Sequence, residues 1–355
     1  MNTKATLGVG LVGCGRAGAE LHLPAIKSVP NANVVALCDV DRTNLESLAK
    51  SFEVGAIYED YRLLLEDPEV DFVAICVPLA HREGMILDAI ESRKHLLIEK
   101  PLADSSTAAR AIQQTVASFG GKVAVGHNLR CHRLAELARE WYQQGRIGDI
   151  ELVSTIWSTD LGTAGDLPTW RRSLSTGGGV LLEMGIHHFD LVEWILDQSI
   201  EEVWCRQQSH LSEVSAAVVT ASVEGGGLVN FAFSQESVPR NLIEIVGTEG
   251  RIELDLYRFD GLNLYRGAET GGGLKSRFKR ASESLFSFPT AARQMRLGGD
   301  YVASYGRQWN RLVASVHGGS RVPCTVDDAA RSVDLAMAAI ESAKQGRQIS
   351  TYPSI

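Results

Sequence analysis

The chain has 355 residues, 45% of them apolar and 22% charged, and a formal net charge of −8. That length exceeds one ordinary core and points to two domains, each able to bury enough apolar surface to fold without a staple. The acidic balance argues against a general attraction to nucleic acid or to an anionic membrane surface, either of which needs a basic footprint.

The six cysteines are scattered, with no CxxC pair and no Cys/His cluster at zinc-finger spacing, so they read as reduced thiols and no metal site is expected. The apolar stretch 7–12 is too short and wrongly flanked for a secretory signal, and no run approaches the roughly twenty apolar residues of a membrane span. A cytoplasmic location is the expectation.

Residues 7–12, 34–38, 72–77, 95–98 and 122–125 are short, β-branched-rich apolar runs without clear alternation, the pattern of strands buried on both faces of a parallel sheet. Helical stretches over 18–28, 42–52, 82–92 and 105–118 separate them. This alternation implies right-handed βαβ crossovers and a doubly wound α/β sheet.

After about His127 the rhythm changes, with helices expected over 133–144 and 185–196. Strand-like pieces 214–223 and 228–234 flank Gly225, Gly226 and Gly227, and 242–246 and 251–256 flank Gly247-Thr248-Glu249-Gly250; both read as hairpins of an antiparallel sheet. Between residues 271 and 311 eight basic residues stand against two acids, a net +6 that reads as a solvated surface segment or, more sharply, as a flap over an anionic group centred on 275–296. A last helix is expected over 326–344, with Asp327 and Asp328 in its first turn and Gly346 beyond its end, and the sequence leaves open which domain it packs on. Two domains, 1–127 and 128–355, follow from this division.

The run Gly13-Cys14-Gly15-Arg16-Ala17-Gly18 directly follows the first strand and opens the first helix. Gly13 allows the tight turn, Gly15 lets the backbone approach a pyrophosphate, and Gly18 lets helix and strand pack closely. Asp39 stands 21 residues beyond Gly18, at the end of the second strand. A carboxylate there accepts from ribose hydroxyls and repels a 2′-phosphate, so NAD is expected ahead of NADP, for which Arg42 leaves some room. Asp41 is better placed than Asp39 to cap the helix that follows.

Glu99-Lys100-Pro101 ends the 95–98 strand, at the carboxyl edge where doubly wound folds bind ligands, and puts a cationic donor beside the expected nicotinamide. Farther on, Glu183 and His187 lie four residues apart and share a face if the segment is helical, so the carboxylate can orient the imidazole. His188 reads as a buried neighbour.

Together these residues resemble the glucose-fructose oxidoreductase and inositol dehydrogenase family (Gfo/Idh/MocA). The resemblance rests on Gly13 to Gly18, Asp39, Val77-Pro78, Glu99-Lys100-Pro101, Gly126-His127-Asn128-Leu129-Arg130, Trp170-Arg171, the GGxxxExGxH stretch ending at His187, and Gly247 to Gly250. It implies a Rossmann domain followed by an α+β domain with a large, mostly antiparallel open sheet that mediates homodimer or homotetramer contacts. It also implies that Lys100 polarises the reacting oxygen and His187 exchanges its proton. Val77, Pro78, Glu99 and Arg171 would lie by the nucleotide, and His127, Arg130, Trp170 and Glu183 by the substrate. Two departures stand out: the family's aspartate is Glu183 here, and the histidine often found after its Pro-Asn turn is replaced by Arg82, with His81 one place earlier.

The resulting expectation is an NAD-dependent oxidoreductase moving a hydride between the nicotinamide and a secondary alcohol or ketone of a sugar, glycoside or polyol. Two alternatives share the same residues: a glycoside-processing enzyme that keeps NAD bound and oxidises transiently, and a catalytically inactive NAD-sensing regulator.

Overall fold

Strand β1 (Leu7–Val12) is buried at every position, as a strand covered on both faces must be. It lies at the centre of a six-stranded sheet with β2 (Ala32–Cys38), β3 (Ala56–Tyr58), β4 (Phe72–Ile75), β5 (His95–Ile98) and β6 (Val123–Val125), in the order β3-β2-β1-β4-β5-β6. Every neighbouring pair is parallel. The strand order reverses between β1 and β4, the switch point at which doubly wound sheets open a crevice for ligands.

The computed structural model describes residues 5–161, 172–173, 178–267, 273–274, 277–278, 281–282, 285–286, 288–289 and 298–351. The chain divides into two units, Met1–Cys131 with Val302–Val333 and His132–Tyr301 with Asp334–Ile355. Residues 302–333 thus join the first unit, although a single cut after residue 127 assigns them to the second.

The helices of the first unit's amino-terminal part are α1 (Leu23–Lys27), α2 (Arg42–Phe52), α3 (Tyr61–Glu66), α4 (Arg82–Glu91) and α5 (Ser106–Ala117). The expected helix over 18–28 is not uniform. A π-helical turn occupies Ala17–His22, with Leu23 N–H donating to Gly18 O. Pro24 explains it: without an N–H it cannot bond the Glu20 carbonyl, so the wider turn takes over.

The second unit begins with α6 (Arg133–Gln143) and β7 (Ile150–Ser158), and α7 (Ile186–Leu196) follows. Its sheet adds β8 (Ile200–Gln208), β9 (Ala216–Val223), β10 (Leu228–Ser234), β11 (Arg240–Gly247), β12 (Gly250–Asp255), β13 (Leu262–Arg266) and β14 (Ile349–Ser350). The order is β13-β12-β11-β7-β10-β9-β8-β14, antiparallel throughout except for the β7–β10 pair. Both expected hairpins are present, and the β9–β10 turn uses Gly226 at φ +92°. Val219, Phe231, Ile243 and Ile252 are fully buried on one face, where Phe189 of α7 meets Phe231 edge-on at 4.9 Å. The other face leaves Leu152, Trp204, Val218 and Leu228 exposed.

Two long helices close the chain, α8 (Gly299–Gly318) and α9 (Val326–Gln345). The first was not foreseen. From it Tyr305, Trp309, Leu312 and Val313 enter the first unit's core, with Trp309 fully buried and its ring 5.3 Å from that of Phe72. Among the described residues no helix is long and apolar enough to cross a membrane.

Candidate active site

The chain leaves β1 through Gly13, whose φ of +98° is left-handed and where a Cβ would lie 2.7 Å from the Cys76 carbonyl. At Gly18 a Cβ would lie 2.1 Å from Gly13 O, so both glycines are dictated by close backbone approach. Gly15 differs, because a Cβ there would meet nothing within 4 Å and the turn is open on that side. Asp39 accepts from the Cys14 N–H at 2.6 Å and from the Asp41 N–H at 2.9 Å, while Asn44 Nδ2 donates to Cys14 O at 2.7 Å. Asp41, not Asp39, caps α2 by accepting from the Asn44 N–H at 3.1 Å. Burial first, and then Asp39, push the Cys14 thiol up to about 12, so it stays protonated and acts as packing within the turn.

This cradle fits a dinucleotide: it combines a backbone open at Gly15, half-exposed Ala17 and exposed Arg16 beyond it, and an acid at the end of β2. Arg42 directs Nε to Glu46 at 2.8 Å and Nη1 to Glu59 at 2.6 Å. Its charge is thus shared with two carboxylates, and the surroundings of Asp39 favour an unphosphorylated ribose.

At the end of β5, Lys100 is half-buried and follows Glu99, which is 6% exposed. Glu99 Oε1 lies 2.8 Å from His22 Nε2, and His22 Nδ1 accepts from the Trp309 indole N–H at 3.0 Å. Burial works against an imidazolium at His22, and the Cys76 and Glu99 side chains work for it. The indole decides. A ring nitrogen that accepts from Trp309 carries no proton, so the geometry holds a neutral His22 whose Nε2–H donates to Glu99. Burial alone would raise the Glu99 carboxyl, but the His22 bond and the cationic Lys100 and Arg82 hold it below the ordinary carboxylate range. Val77 is half-buried and Pro78 exposed in the turn after β4.

In the second unit, Glu183 lies in a π-helical turn, Leu181–Gly185, that leads directly into α7. It is half-buried, whereas His187 is 2% exposed, with its ring 5.3 Å from that of Trp157. Trp157 in turn donates its indole N–H to the Tyr257 hydroxyl at 2.9 Å. Val180, just before the π turn, donates its N–H to Val214 O at 2.9 Å, and Val214 adopts φ +53°, a strained conformation for a β-branched residue. His188 is fully buried, stacked on Trp157 at 5.2 Å, with Nε2 3.0 Å from Asn241 Oδ1. Burial pushes its pKa down to about 4, so it is a neutral core residue, as its reading as a buried neighbour implies.

His127 and Arg130 are both buried in the first unit, and Arg130 Nη1 forms an ion pair with Asp328 Oδ2 at 3.1 Å. That pair ties the segment after β6 to the first turn of α9 and gives Arg130 a structural partner. Trp170 and Arg171 lie outside the described residues, as do Lys275, Lys279, Arg280, Arg293 and Arg296 of the basic segment. Sequence reasoning missed Trp157, Tyr257, His22 and Trp309. The first pair meets across 100 positions and the last across 287, separations that no local pattern reveals.

A family profile described as oxidoreductase family, NAD-binding Rossmann fold, matches residues 7–127, and the GFO/IDH/MocA C-terminal domain matches residues 135–253. An uncharacterised oxidoreductase of Bacillus subtilis, YrbE, is 27% identical over 350 residues, covering 96% of this chain and 95% of that protein. Myo-inositol 2-dehydrogenase of Thermotoga maritima is 28% identical, covering 70% of this chain and 75% of its own. The crystal structure of an NAD binding oxidoreductase from Klebsiella pneumoniae shares the fold with a TM-score of 0.84 at 23% identity, covering 99% of this chain and all of the other.

Proposed function

The chain belongs to the Gfo/Idh/MocA oxidoreductases, an NAD-binding Rossmann family, and on that premise we propose that it oxidises a secondary hydroxyl of a sugar, glycoside or polyol, or reduces the matching ketone. The observation that carries the reading is Lys100 at the carboxyl edge of the Rossmann sheet, seated next to a buried, hydrogen-bonded carboxylate. The nicotinamide supplies the hydride acceptor or donor. Lys100 stabilises negative charge on the reacting oxygen, His187 exchanges the hydroxyl proton, and Glu183 orients the imidazole. Asp39 holds the adenosine ribose. The polyol class is supported by the myo-inositol 2-dehydrogenase likeness.

The same reading includes a cytoplasmic setting and a second copy of the chain on the open face of β7 and β10, where Leu152 and Leu228 are exposed cross-strand neighbours. Sedimentation of Leu228→Asp against the wild type tests the second point, with a smaller species expected.

The test of the activity is a panel of inositols, aldoses and methyl glucosides with NAD or NADP, followed by NADH absorbance and by product chromatography. Net NADH with at least one polyol or sugar is the expected result. Product without net NADH would move the chain to a retained-nicotinamide cycle. NADH binding with no product from any member of the panel would overturn the proposal in favour of a cofactor sensor.

A further inference from the structure

Arg82 opens α4 and is 7% exposed, although arginine is seldom buried without partners. Main-chain oxygens are among its partners. Nε donates to Val77 O at 2.8 Å, and Nη1 donates to both Glu99 O and Pro101 O. Glu99 and Pro101 are the residues on either side of Lys100. The geometry points to Arg82 as a positioning residue for Lys100: one buried guanidinium pins the carbonyls flanking the lysine and ties them to the turn after β4.

The choice of side chain follows from the acceptors. Three carbonyls drawn from two strand exits need several donors in a fixed plane, which a guanidinium has and which neither an ammonium nor an imidazole offers. The third carbonyl extends the link towards the cofactor. Val77 follows Cys76, whose carbonyl lies where a Gly13 side chain would stand, so the exits of β4 and β5 and the glycine turn abut one another. A buried cation also needs a counter-charge, and Glu99 provides one in the same segment. Small displacements of a reacting group cost up to about 10²-fold in rate, which is why backbone pinning beside Lys100 matters.

The inference rests on the proposed role of Lys100, and the test separates the two. Arg82→Ala and Arg82→Lys are compared with wild type in NADH affinity by fluorescence and in kcat and KM with whichever polyol the wild type turns over. Each measurement is made well below the variant's unfolding temperature, with and without ethylguanidinium or ethylammonium. Arg82→Ala is expected to lose about tenfold or more in kcat and several-fold in NADH affinity, with KM for the polyol less affected. Arg82→Lys should fall between it and the wild type. Ethylguanidinium, and not ethylammonium, should restore both losses in Arg82→Ala, a response that a general loss of stability would not give. Wild-type kcat and NADH affinity in Arg82→Ala, or losses indifferent to ethylguanidinium, would overturn the inference. If the wild type turns over no polyol, the proposed reaction fails, while NADH affinity and its rescue still decide the clamp.

Discussion

The described surroundings of Lys100 and His187 differ in kind. Around Lys100 the first unit places donors and acceptors in contact: Glu99 with His22 at 2.8 Å, His22 with Trp309 at 3.0 Å, and Arg82 on the flanking carbonyls. Around His187 the second unit places rings, with Trp157 at 5.3 Å and, one residue along, His188 stacked on the same indole and edge-on to Phe233. The difference matches the proposed tasks. A lysine that stabilises developing negative charge acts through its cation, and the Glu99 carboxylate lies beside it as a counter-charge. An imidazole that takes up and returns a proton must reach both forms, and ring packing by Trp157 adds to the orientation proposed for Glu183.

The largest effects should come from the two groups themselves. His187→Asn is expected to lower turnover by about 10²-fold or more, the range for a positioned general base, with NADH affinity unchanged. Lys100→Met should suppress turnover as much and also disturb NADH binding, because Lys100 shares its unit with the glycine turn. Single-turnover hydride transfer with the accepted polyol measures both. Near-wild-type rates in His187→Asn would leave Lys100 as the proton carrier and end the comparison.

The aromatic side of the comparison makes a claim about stability. His188 has its pKa depressed to about 4 from an ordinary 6.5, so as pH falls the unfolded chain takes up the proton first. The contribution is whole above about 6.5 and is lost on descent towards about 4. Between pH 7 and 5 the loss is about 2 kcal/mol at most. His188→Gln, which keeps an amide for Asn241, should remove that part of the slope. Denaturant titrations of both proteins at several pH values check it, and parallel slopes would mean that His188 is not desolvated as its burial requires.

Much of the first unit was legible in the sequence because its signals are local. Helix α2 was expected over the residues it occupies, since an Asp41 cap and an amphipathic run lie within one short segment. Gly13 and Gly18 were readable because backbone closeness imposes glycine, and Asp39 because it stands at a motif spacing where it accepts from the Cys14 N–H. What escaped was non-local. Helix α8 carries polar residues among its buried ones, and Trp309 acquires meaning only on reaching His22. Arg82 was marked as a departure but not explained, because its acceptors are carbonyls and carbonyls leave no trace in residue identity. Trp157 was missed for a similar reason, since α7 and β7 meet only after folding.

A smaller effect tests whether the first unit's acid at β2 does what its hydrogen bonds imply. Asp39→Ala removes the partner of the Cys14 N–H and the charge that repels a 2′-phosphate. Discrimination in favour of NAD is expected to fall about tenfold, equivalent to about 1.4 kcal/mol. Arg42 should contribute little further, because its guanidinium is exposed and already shared between Glu46 and Glu59. Paired NADH and NADPH affinities of Asp39→Ala and Arg42→Ala separate the two residues. A larger change in Arg42→Ala would shift cofactor choice from the acid to the base.

The smallest effect addresses the indole behind Glu99. Trp309→Phe keeps most of the buried ring but removes the N–H that donates to His22 Nδ1, leaving a buried acceptor unpaired at a cost of about 1 kcal/mol, the low end for such a loss. Its pH dependence is the sharper reading. With Nδ1 released, His22 can take a second proton beside the Glu99 carboxylate, which raises its folded pKa above the unfolded value. Stability from such a group is fully present below the unfolded histidine pKa and is lost as pH rises through the folded one. The deficit of Trp309→Phe should therefore be greatest in mildly alkaline solution and shrink on acidification. Nitrogen chemical shifts of His22 should show a single tautomer protonated at Nε2 in the wild type. A deficit that stayed constant with pH, together with an imidazolium signal in the wild type, would mean that Glu99 holds a charged ring and that the indole does not set its state.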